Sequence, residues 1–332
     1  MPHHALFVLA LALASAAPAT ADEWQKDYPV TGHPQLVLMT DDAGVHVTPW
    51  DRPVISVRVT TRGWKVGPHG IRITDRHEGS RVECQVREPH PWASLYFGVR
   101  SVRVDVMVPR EADLDVGTGD GGVTLGPVAG AVRVHTGDGG IEADGLRGEA
   151  DLSTSDGPIE AQALDGTLTA RTGDGHIRLA GRFDRLDVST NDGRVDATAA
   201  EGSRLAAGWS LRSGDGGLTL RVPRSLRADL DLHTGDGRLR VELPVETSGD
   251  FTHHAVRGRM NGGGPVLFMH TGDGSIRIEG LPGPAVAPAP AAPAPRVAPR
   301  PAPRTVTPAP KPAPRKPAKR AAPAPDTSGV EA

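Results

Sequence analysis

Apolar and polar residues alternate one by one along much of the chain, as they do on a β-strand with one buried face. The runs "VISVRVTT", "GIRITDR", "SRVECQVRE" and "SVRVDVMVP", between residues 54 and 109, all follow this pattern, with Pro or Gly near their ends. No stretch combines a 3.6-residue period with helix-capping residues. The pattern predicts an all-β protein with little or no helix.

A four-residue motif, [Thr/Ser]-[Gly/Ser/Asn]-Asp-Gly, recurs along the second part of this region. It occurs eight times, with its aspartate at Asp120, Asp138, Asp156, Asp174, Asp192, Asp215, Asp236 and Asp273. The first five copies are 18 residues apart, and the later gaps of 23, 21 and 37 residues are expected to hold insertions, with residues 259–268 in the last. A longer match, "VPREADLDVGTGDGG" (108–122) with "VPRSLRADLDLHTGDGR" (222–238), indicates internal duplication.

Each 18-residue repeat is predicted to form one coil with two strands. After the first motif Val123 and Leu125 alternate with Thr124, a corner follows at Val128, and a second alternating strand leads back to the motif. Two topologies fit: an antiparallel meander with Asp-Gly hairpin turns, and a parallel solenoid whose coils stack about 4.8 Å apart. The fixed spacing favours the solenoid, because stacked coils reuse one corner in register. Trp209 falls at an inward position.

The recurring aspartate has three interpretations. In a structural turn, the carboxylate accepts backbone N–H groups just ahead of it, the next glycine has positive φ, and the preceding residue is left-handed. The motif threonines would then form a hydroxyl ladder along the stack. We favour this turn, and a one-sided, weak calcium site is the first alternative, because no second aspartate faces the motif nine residues on.

Catalysis is the second alternative, since parallel β-helices also occur among polysaccharide lyases and hydrolases. A histidine stands three residues before an aspartate at His135, His233 and His270, but Ser153, Arg171 and Ser189 occupy that position in other coils. This scatter is typical of a solvated face. We therefore predict no catalytic residue, no metal site and no cofactor.

The strand-rich region that ends in "VMVPR" (Val106 to Arg110), followed by reiterated "TGDG-[VI]-x-[LA]" coils, resembles a bacterial putative-adhesin β-strand-repeat family. This family is a domain of unknown function related to proposed autotransporter adhesin head domains. The resemblance covers roughly residues 30–280. It implies a right-handed parallel β-helix in an envelope setting, and it carries over no catalytic or ligand residue.

Composition divides the chain into four parts. Residues 1–21 read as a secretory signal peptide, with an apolar stretch at 5–17 and an A-x-A cleavage pattern. Residues 22–117 are a strand-rich region that caps or starts the solenoid, and 118–280 hold the motif repeats. Residues 281–332 contain 16 of the 31 prolines and no aromatic residue, which predicts a disordered Pro-rich tail. Such a chain would be exported to the periplasm, cell surface or medium.

Charge and aromatic residues indicate candidate partners. Residues 1–280 carry a net charge of −9 and the tail +6, so nucleic acid is not an expected partner, whereas the tail suits a membrane surface. Trp92, Tyr96 and Phe97 are candidates for a recognition loop, although aromatic residues of this region also suit a cap over the solenoid end. Cys84, the only cysteine, is expected to be a small buried residue.

These observations predict an exported, non-enzymatic β-solenoid that binds or scaffolds an envelope polymer or protein surface. The alternatives are a carbohydrate-active β-helix enzyme and a calcium-stabilised β-roll. The sequence does not identify the ligand or the oligomeric state.

Overall fold

The computed structural model describes residues 21–89 and 100–282, and for 247–251 it describes the backbone alone. All of these residues belong to the unit Met1–Pro284. The described part consists of strands, turns and bends without a helix, as the alternating pattern predicts.

The strands, numbered in chain order, are β1 (Ala21–Pro29), β2 (Gln35–Thr40), β3 (Gly44–Trp50), β4 (Val54–Arg62), β5 (Arg72–Glu78), β6 (Arg81–Arg87), β7 (Ser101–Pro109), β8 (Asp113–Thr118), β9 (Val123–Leu125), β10 (Ala129–Thr136), β11 (Ile141–Asp144), β12 (Arg147–Thr154), β13 (Ile159–Arg171), β14 (Ile177–Thr190), β15 (Val195–Ala199), β16 (Trp209–Ser213), β17 (Leu218–Val222), β18 (Ala228–Thr234), β19 (Leu239–Val241), β20 (Val245–Phe251), β21 (Ala255–Met260), β22 (Val266–Thr271) and β23 (Ile276–Gly280).

The strands form two parallel ladders, which we call face A and face B. In face A the strands follow the motif and lie in the order β7–β3–β9–β11–β13–β14–β15–β17–β23–β19. In face B they precede the motif, in the order β6–β2–β8–β10–β12–β13–β14–β16–β22–β18. β13 and β14 are long enough to contribute to both faces. The described residues therefore form a parallel solenoid of ten coils, and the meander is wrong.

The two ladders bury their inward side chains against each other. Small and medium apolar residues fill the interior, and the predicted corner residues Val128, Leu146, Leu164 and Phe183 are all buried. Trp209 is buried too and meets Phe183 edge to face, with ring centroids 6.1 Å apart. A thin core of this kind needs few aromatic residues, in agreement with the 4% aromatic content.

The coils do not stack in chain order at either end. The coil β22/β23, last in the sequence, lies between β16/β17 and β18/β19. At the other end the first coil, β2/β3, lies between β6/β7 and β8/β9.

This order explains the duplicated "VPR" segments. Both segments, 108–122 and 222–238, begin where the chain leaves face A and steps past one coil before it enters face B. The position passed over is filled by an earlier segment in one case and by a later segment in the other. The last 37-residue gap holds the hairpin β20/β21, so 259–268 is not a simple insertion but runs from the end of β21 into β22.

In the described residues, antiparallel strands cover both ladder ends on the N-terminal side and the end of face B on the C-terminal side. On the N-terminal side β4 pairs with β7, and β1 pairs with β4, while β5 pairs with β6. On the C-terminal side β21 pairs with β18, and β20 with β21. Tyr28 of β1 is buried, and Trp24 and Trp64 pack partly against the core, which agrees with a capping role for N-terminal aromatic residues.

Three predictions about the fold stay untested by the described residues. The right-handed winding of the solenoid stays a prediction. The predicted signal peptide lies outside the described residues except for Ala21, and the Pro-rich tail lies outside them except for Leu281 and Pro282.

Candidate functional site

The recurring motif forms a column of stacked corners between face B and face A. The residue before each aspartate donates its N–H to the carbonyl of the equivalent residue one coil back, for example from Gly137 to Gly119 at 2.5 Å and from Ser155 to Gly137 at 2.8 Å. The backbone ladder therefore continues through the corner, which keeps every coil at one spacing.

The motif threonine supplies the second set of corner bonds. The Thr154 hydroxyl lies 2.8 Å from the Gly137 carbonyl and 3.0 Å from the Gly139 carbonyl, both of the preceding coil, and it accepts the Gly157 N–H at 3.1 Å. The equivalent hydroxyls point to the same two carbonyls in the coils of Thr118, Thr136, Thr172, Thr190, Ser213, Thr234 and Thr271, and all eight side chains are buried. Within the predicted column of hydroxyl groups, each hydroxyl therefore bonds to backbone carbonyls of the preceding coil.

Glycine is required after each aspartate because a side chain there would collide with the preceding coil, and not because the backbone has positive φ. A Cβ on Gly139 would lie 2.1 Å from the Gly121 carbonyl oxygen, and one on Gly175 would lie 1.9 Å from the Gly157 oxygen. No motif glycine in the described residues has positive φ, so that expectation is wrong. Positive φ occurs at the opposite corner, at Gly130, Gly148 and Gly166.

The eight motif aspartates are all exposed to solvent. Within the described residues their carboxylates accept no hydrogen bond from the N–H groups just ahead, and the threonine hydroxyl accepts that bond instead. In the same part of the chain, no group of three or more His, Cys, Asp or Glu side chains is arranged to hold a metal ion. The carboxylates therefore point into water, where repulsion between neighbours at coil spacing is only about 1 kcal/mol.

A ninth corner precedes the eight, and sequence reasoning missed it. In "TDDAG" (40–44) Asp42 and Ala43 take the places of the motif aspartate and glycine, and Thr118 donates to the carbonyls of Asp41 and Ala43. The spacing signal fails here because 78 residues separate Asp42 from Asp120. The Asp120 N–H donates to the Asp42 carboxylate at 3.3 Å.

A cleft of about 750 Å³ lies beside this ninth corner. It brings together Glu88, Asp42, Trp64, Arg100 and His135. Burial raises the pKa of Glu88, and the nearby charges of Asp42 and Asp41 raise it further. The Arg100 guanidinium lies 4.0 Å from the centroid of the Trp64 ring.

Face A carries a shallow groove, defined by His46, Thr124, Glu142, Glu160 and Arg178. These residues are register partners on successive strands and line two adjoining hollows of about 440 and 260 Å³. Glu160 pairs with Arg178 at 2.6 Å, while Glu142 has no ion pair among the described residues. A hydrogen bond from His176, together with the Arg178 charge, holds the pKa of Glu160 below its ordinary value.

Face B places two of the three predicted histidines side by side, because His233 and His270 are register partners on β18 and β22. His135 lies 3.1 Å from the Ser153 hydroxyl, far along the ladder from His233 and His270. His233 bonds Asp231 at 2.7 Å. Burial would raise the pKa of Asp231, but hydrogen bonds from Arg257 and His233 outweigh it and lower that pKa.

Two further predicted features have different outcomes. Cys84 is buried, as predicted, and burial, with a smaller contribution from Asp75, raises the pKa of its thiol to about 12. Trp92, Tyr96 and Phe97 lie outside the described residues.

No helix in the described part of the chain is long and apolar enough to cross a membrane.

Comparison with known proteins finds one matching family model and several similar solved structures. Residues 105–228 match the family model Toastrack DUF4097. A putative cell adhesion protein from Clostridium sporogenes is 12% identical, with 79% of this chain and 100% of that chain covered and a TM-score of 0.26. A putative lipid binding protein from Parabacteroides distasonis is 12% identical, with 77% and 96% covered and a TM-score of 0.43.

A third solved structure, a putative adhesin from Bacteroides fragilis, is 12% identical, with 80% of this chain and 100% of that chain covered and a TM-score of 0.37. No curated protein matches the sequence. The matched segment runs from β7 to the start of β18 and contains six of the eight motif corners. Residues 105–228 are thus similar to the Toastrack DUF4097 family, and the predicted resemblance to a β-strand-repeat family of unknown function is confirmed.

Proposed function

We propose that this protein is an exported, non-enzymatic, adhesin-like β-solenoid that binds or scaffolds components of the bacterial cell envelope. The observation that carries the proposal is the division of labour within each coil. The motif threonines and glycines hold successive coils together, whereas the outward residues of faces A and B differ from coil to coil. Ten coils extend these faces over roughly 43 Å at the spacing of paired strands.

The groove on face A is the proposed contact surface within this frame. Its row of outward residues mixes both signs of charge along the stack, in the order Glu142, Glu160, Arg178, Asp196, Thr219, Arg277 and Arg240. Charge complementarity between such a row and a partner gives selectivity more than affinity. The motif aspartates are proposed to be structural, without a bound ion.

Location and the tail belong to the same proposal. The apolar stretch at 5–17 supports export, and the excess of basic residues in 281–332 supports attachment to an anionic surface. The proline content of that segment supports a role as a spacer.

A sedimentation experiment tests the binding function. The purified chain is incubated with isolated bacterial envelope fractions, and we expect it to sediment with at least one of them. Glu142→Arg in the groove should weaken this binding, whereas Glu149→Arg, the same charge change on face B, should not. Failure of the unaltered chain to sediment with any fraction would overturn the proposal.

The cleft beside the ninth corner favours a second candidate, a carbohydrate-active enzyme. A carboxyl group with a raised pKa, such as that of Glu88, suits a general acid, and Asp42 supplies a second carboxylate in the same cleft. Release of product from an envelope or plant polysaccharide, lost in Glu88→Gln, would establish this candidate in place of the first. We expect no release of product.

A further inference from the structure

Two long crossovers between face A and face B, which contain no strand of their own, lie side by side near the C-terminal end. Ordinary crossovers are short: residues 126–128 join β9 to β10, and 145–146 join β11 to β12. By contrast, 200–208 join β15 to β16, and 223–227 join β17 to β18. These two segments account for the first two gaps longer than 18 residues.

The two long crossovers enclose a larger pocket than the ordinary crossovers of β12 and β13 do. Around the crossovers of β12 and β13 the free space is about 10 Å³, whereas between 200–208 and 223–227 it is about 310 Å³. The pocket is lined by Gly202, Ser203, Arg204, Leu205, Pro223, Ser225, Leu226 and Arg227. Leu205, Pro223 and Leu226 are buried, so the pocket has an apolar floor.

Hydrogen bonds hold both crossovers in place. The buried Ser203 hydroxyl donates to the Ala200 carbonyl at 2.7 Å and accepts the Phe183 N–H at 3.1 Å. The Asn261 amide donates to the carbonyls of Arg224 and Leu226 at 2.8 and 2.7 Å. The pocket walls are thus fixed before any ligand arrives, which lowers the entropy cost of binding.

The charge of the pocket is positive on an otherwise acidic body. Arg204 and Arg227 line it and are exposed, and neither side chain has a carboxylate partner among the described residues. The two crossovers hold three arginines and a single acidic residue, Glu201, whereas residues 1–280 as a whole carry a net charge of −9. Guanidinium groups present paired N–H donors that match the geometry of phosphate, sulfate and carboxylate oxygens.

We propose that the pocket between 200–208 and 223–227 binds the oxyanion groups of an acidic polysaccharide, through Arg204 and Arg227. The inference deepens the proposed binding function and rests on it. A polysaccharide fits better than a membrane, because a membrane needs a broad basic surface, and this body is acidic. A flexible polymer can place a single anionic group into a recessed pocket.

The test uses the full chain with dextran sulfate as the probe and neutral dextran as its control. We expect binding to dextran sulfate only, weakened by added salt. The double variant Arg204→Gln/Arg227→Gln should lose at least about tenfold in affinity, since charge-assisted hydrogen bonds contribute about 1.5–3 kcal/mol each and 1.4 kcal/mol is tenfold. In a separate titration, inorganic phosphate should shift the amide NMR signals of 202–205 and 225–227.

The matched control is Arg133→Gln/Arg194→Gln, which removes the same charge from two exposed positions outside the pocket, one on β10 and one in the corner before β15. An equal loss of affinity in the control variant, or unchanged affinity in the pocket variant, would overturn the proposal that the pocket binds the polysaccharide. The proposed binding function of the protein would then still stand. Anionic vesicles are added as competitors of dextran sulfate. If they displace it from the unaltered chain and not from the pocket variant, the ligand of the pocket is a lipid headgroup and not a polysaccharide. Absence of binding to dextran sulfate and to every envelope fraction would instead remove the proposed function itself.

Discussion

At the scale of single residues, the motif divides its tasks between neighbours. The threonine is buried and bonds two carbonyls of the preceding coil, the following glycine leaves room for a carbonyl, and the aspartate is exposed between them. The motif aspartate therefore recurs at a position where the described residues give it no buried partner.

The adjacent residues Thr154 and Asp156 separate these roles. Thr154→Val keeps the shape and leaves two carbonyls without their hydroxyl partner, so it should lower the free energy of unfolding by about 1–3 kcal/mol. Asp156→Asn should change it by less than about 0.5 kcal/mol, because the side chain is exposed. Denaturant unfolding of both variants measures the difference, and a larger cost for Asp156→Asn would show that the carboxylate holds the corner.

The glycines allow an equally close comparison. A Cβ on Gly121 would lie 2.0 Å from the Ala43 carbonyl oxygen, whereas one on Gly122 would meet its nearest atom, the Gly140 oxygen, at 3.5 Å. Gly121→Ala should therefore be strongly destabilising, by about 1–3 kcal/mol, as expected for overpacking. Gly122→Ala should be close to neutral. Equal melting temperatures for the two variants would contradict the space requirement.

At the scale of strands and coils, the order of stacking departs from the order of the sequence. Thr219 of β17 pairs with Arg277 of β23, and Arg277 pairs with Arg240 of β19 on its other side. Thr219 and Arg240 are thus separated by one intervening strand, which places their Cα atoms about 9–10 Å apart.

Engineered disulfides distinguish this order from a sequential one. A disulfide needs Cα atoms about 4.4–6.8 Å apart. Thr219→Cys with Arg277→Cys should therefore crosslink on mild oxidation, and Thr219→Cys with Arg240→Cys should not. The native Cys84 is buried and should not compete. Mass spectrometry of the oxidised chains gives the answer, and the reverse result would mean that β18/β19 follows β16/β17 directly.

At the scale of the whole molecule, the sequence predicts what depends on local repetition. Alternation and the 18-residue spacing predict the all-β class, the parallel coils and the inward Trp209. They cannot predict which coil lies beside which at the ends, because all coils present similar edges and only long-range pairing selects among them. The corner at Asp42 cannot be predicted for the same reason. The pocket between the long crossovers cannot be predicted either, because its two segments pack together only in the folded chain.

The central claim is that the column of aspartates is a structural corner and not an ion site. Thermal unfolding of the full chain in millimolar calcium and in excess chelator tests it most directly. We predict the same midpoint in both, since a ligand that does not bind the folded state cannot stabilise it. A midpoint raised by calcium, and no longer raised in Asp156→Asn/Asp174→Asn, would contradict the claim.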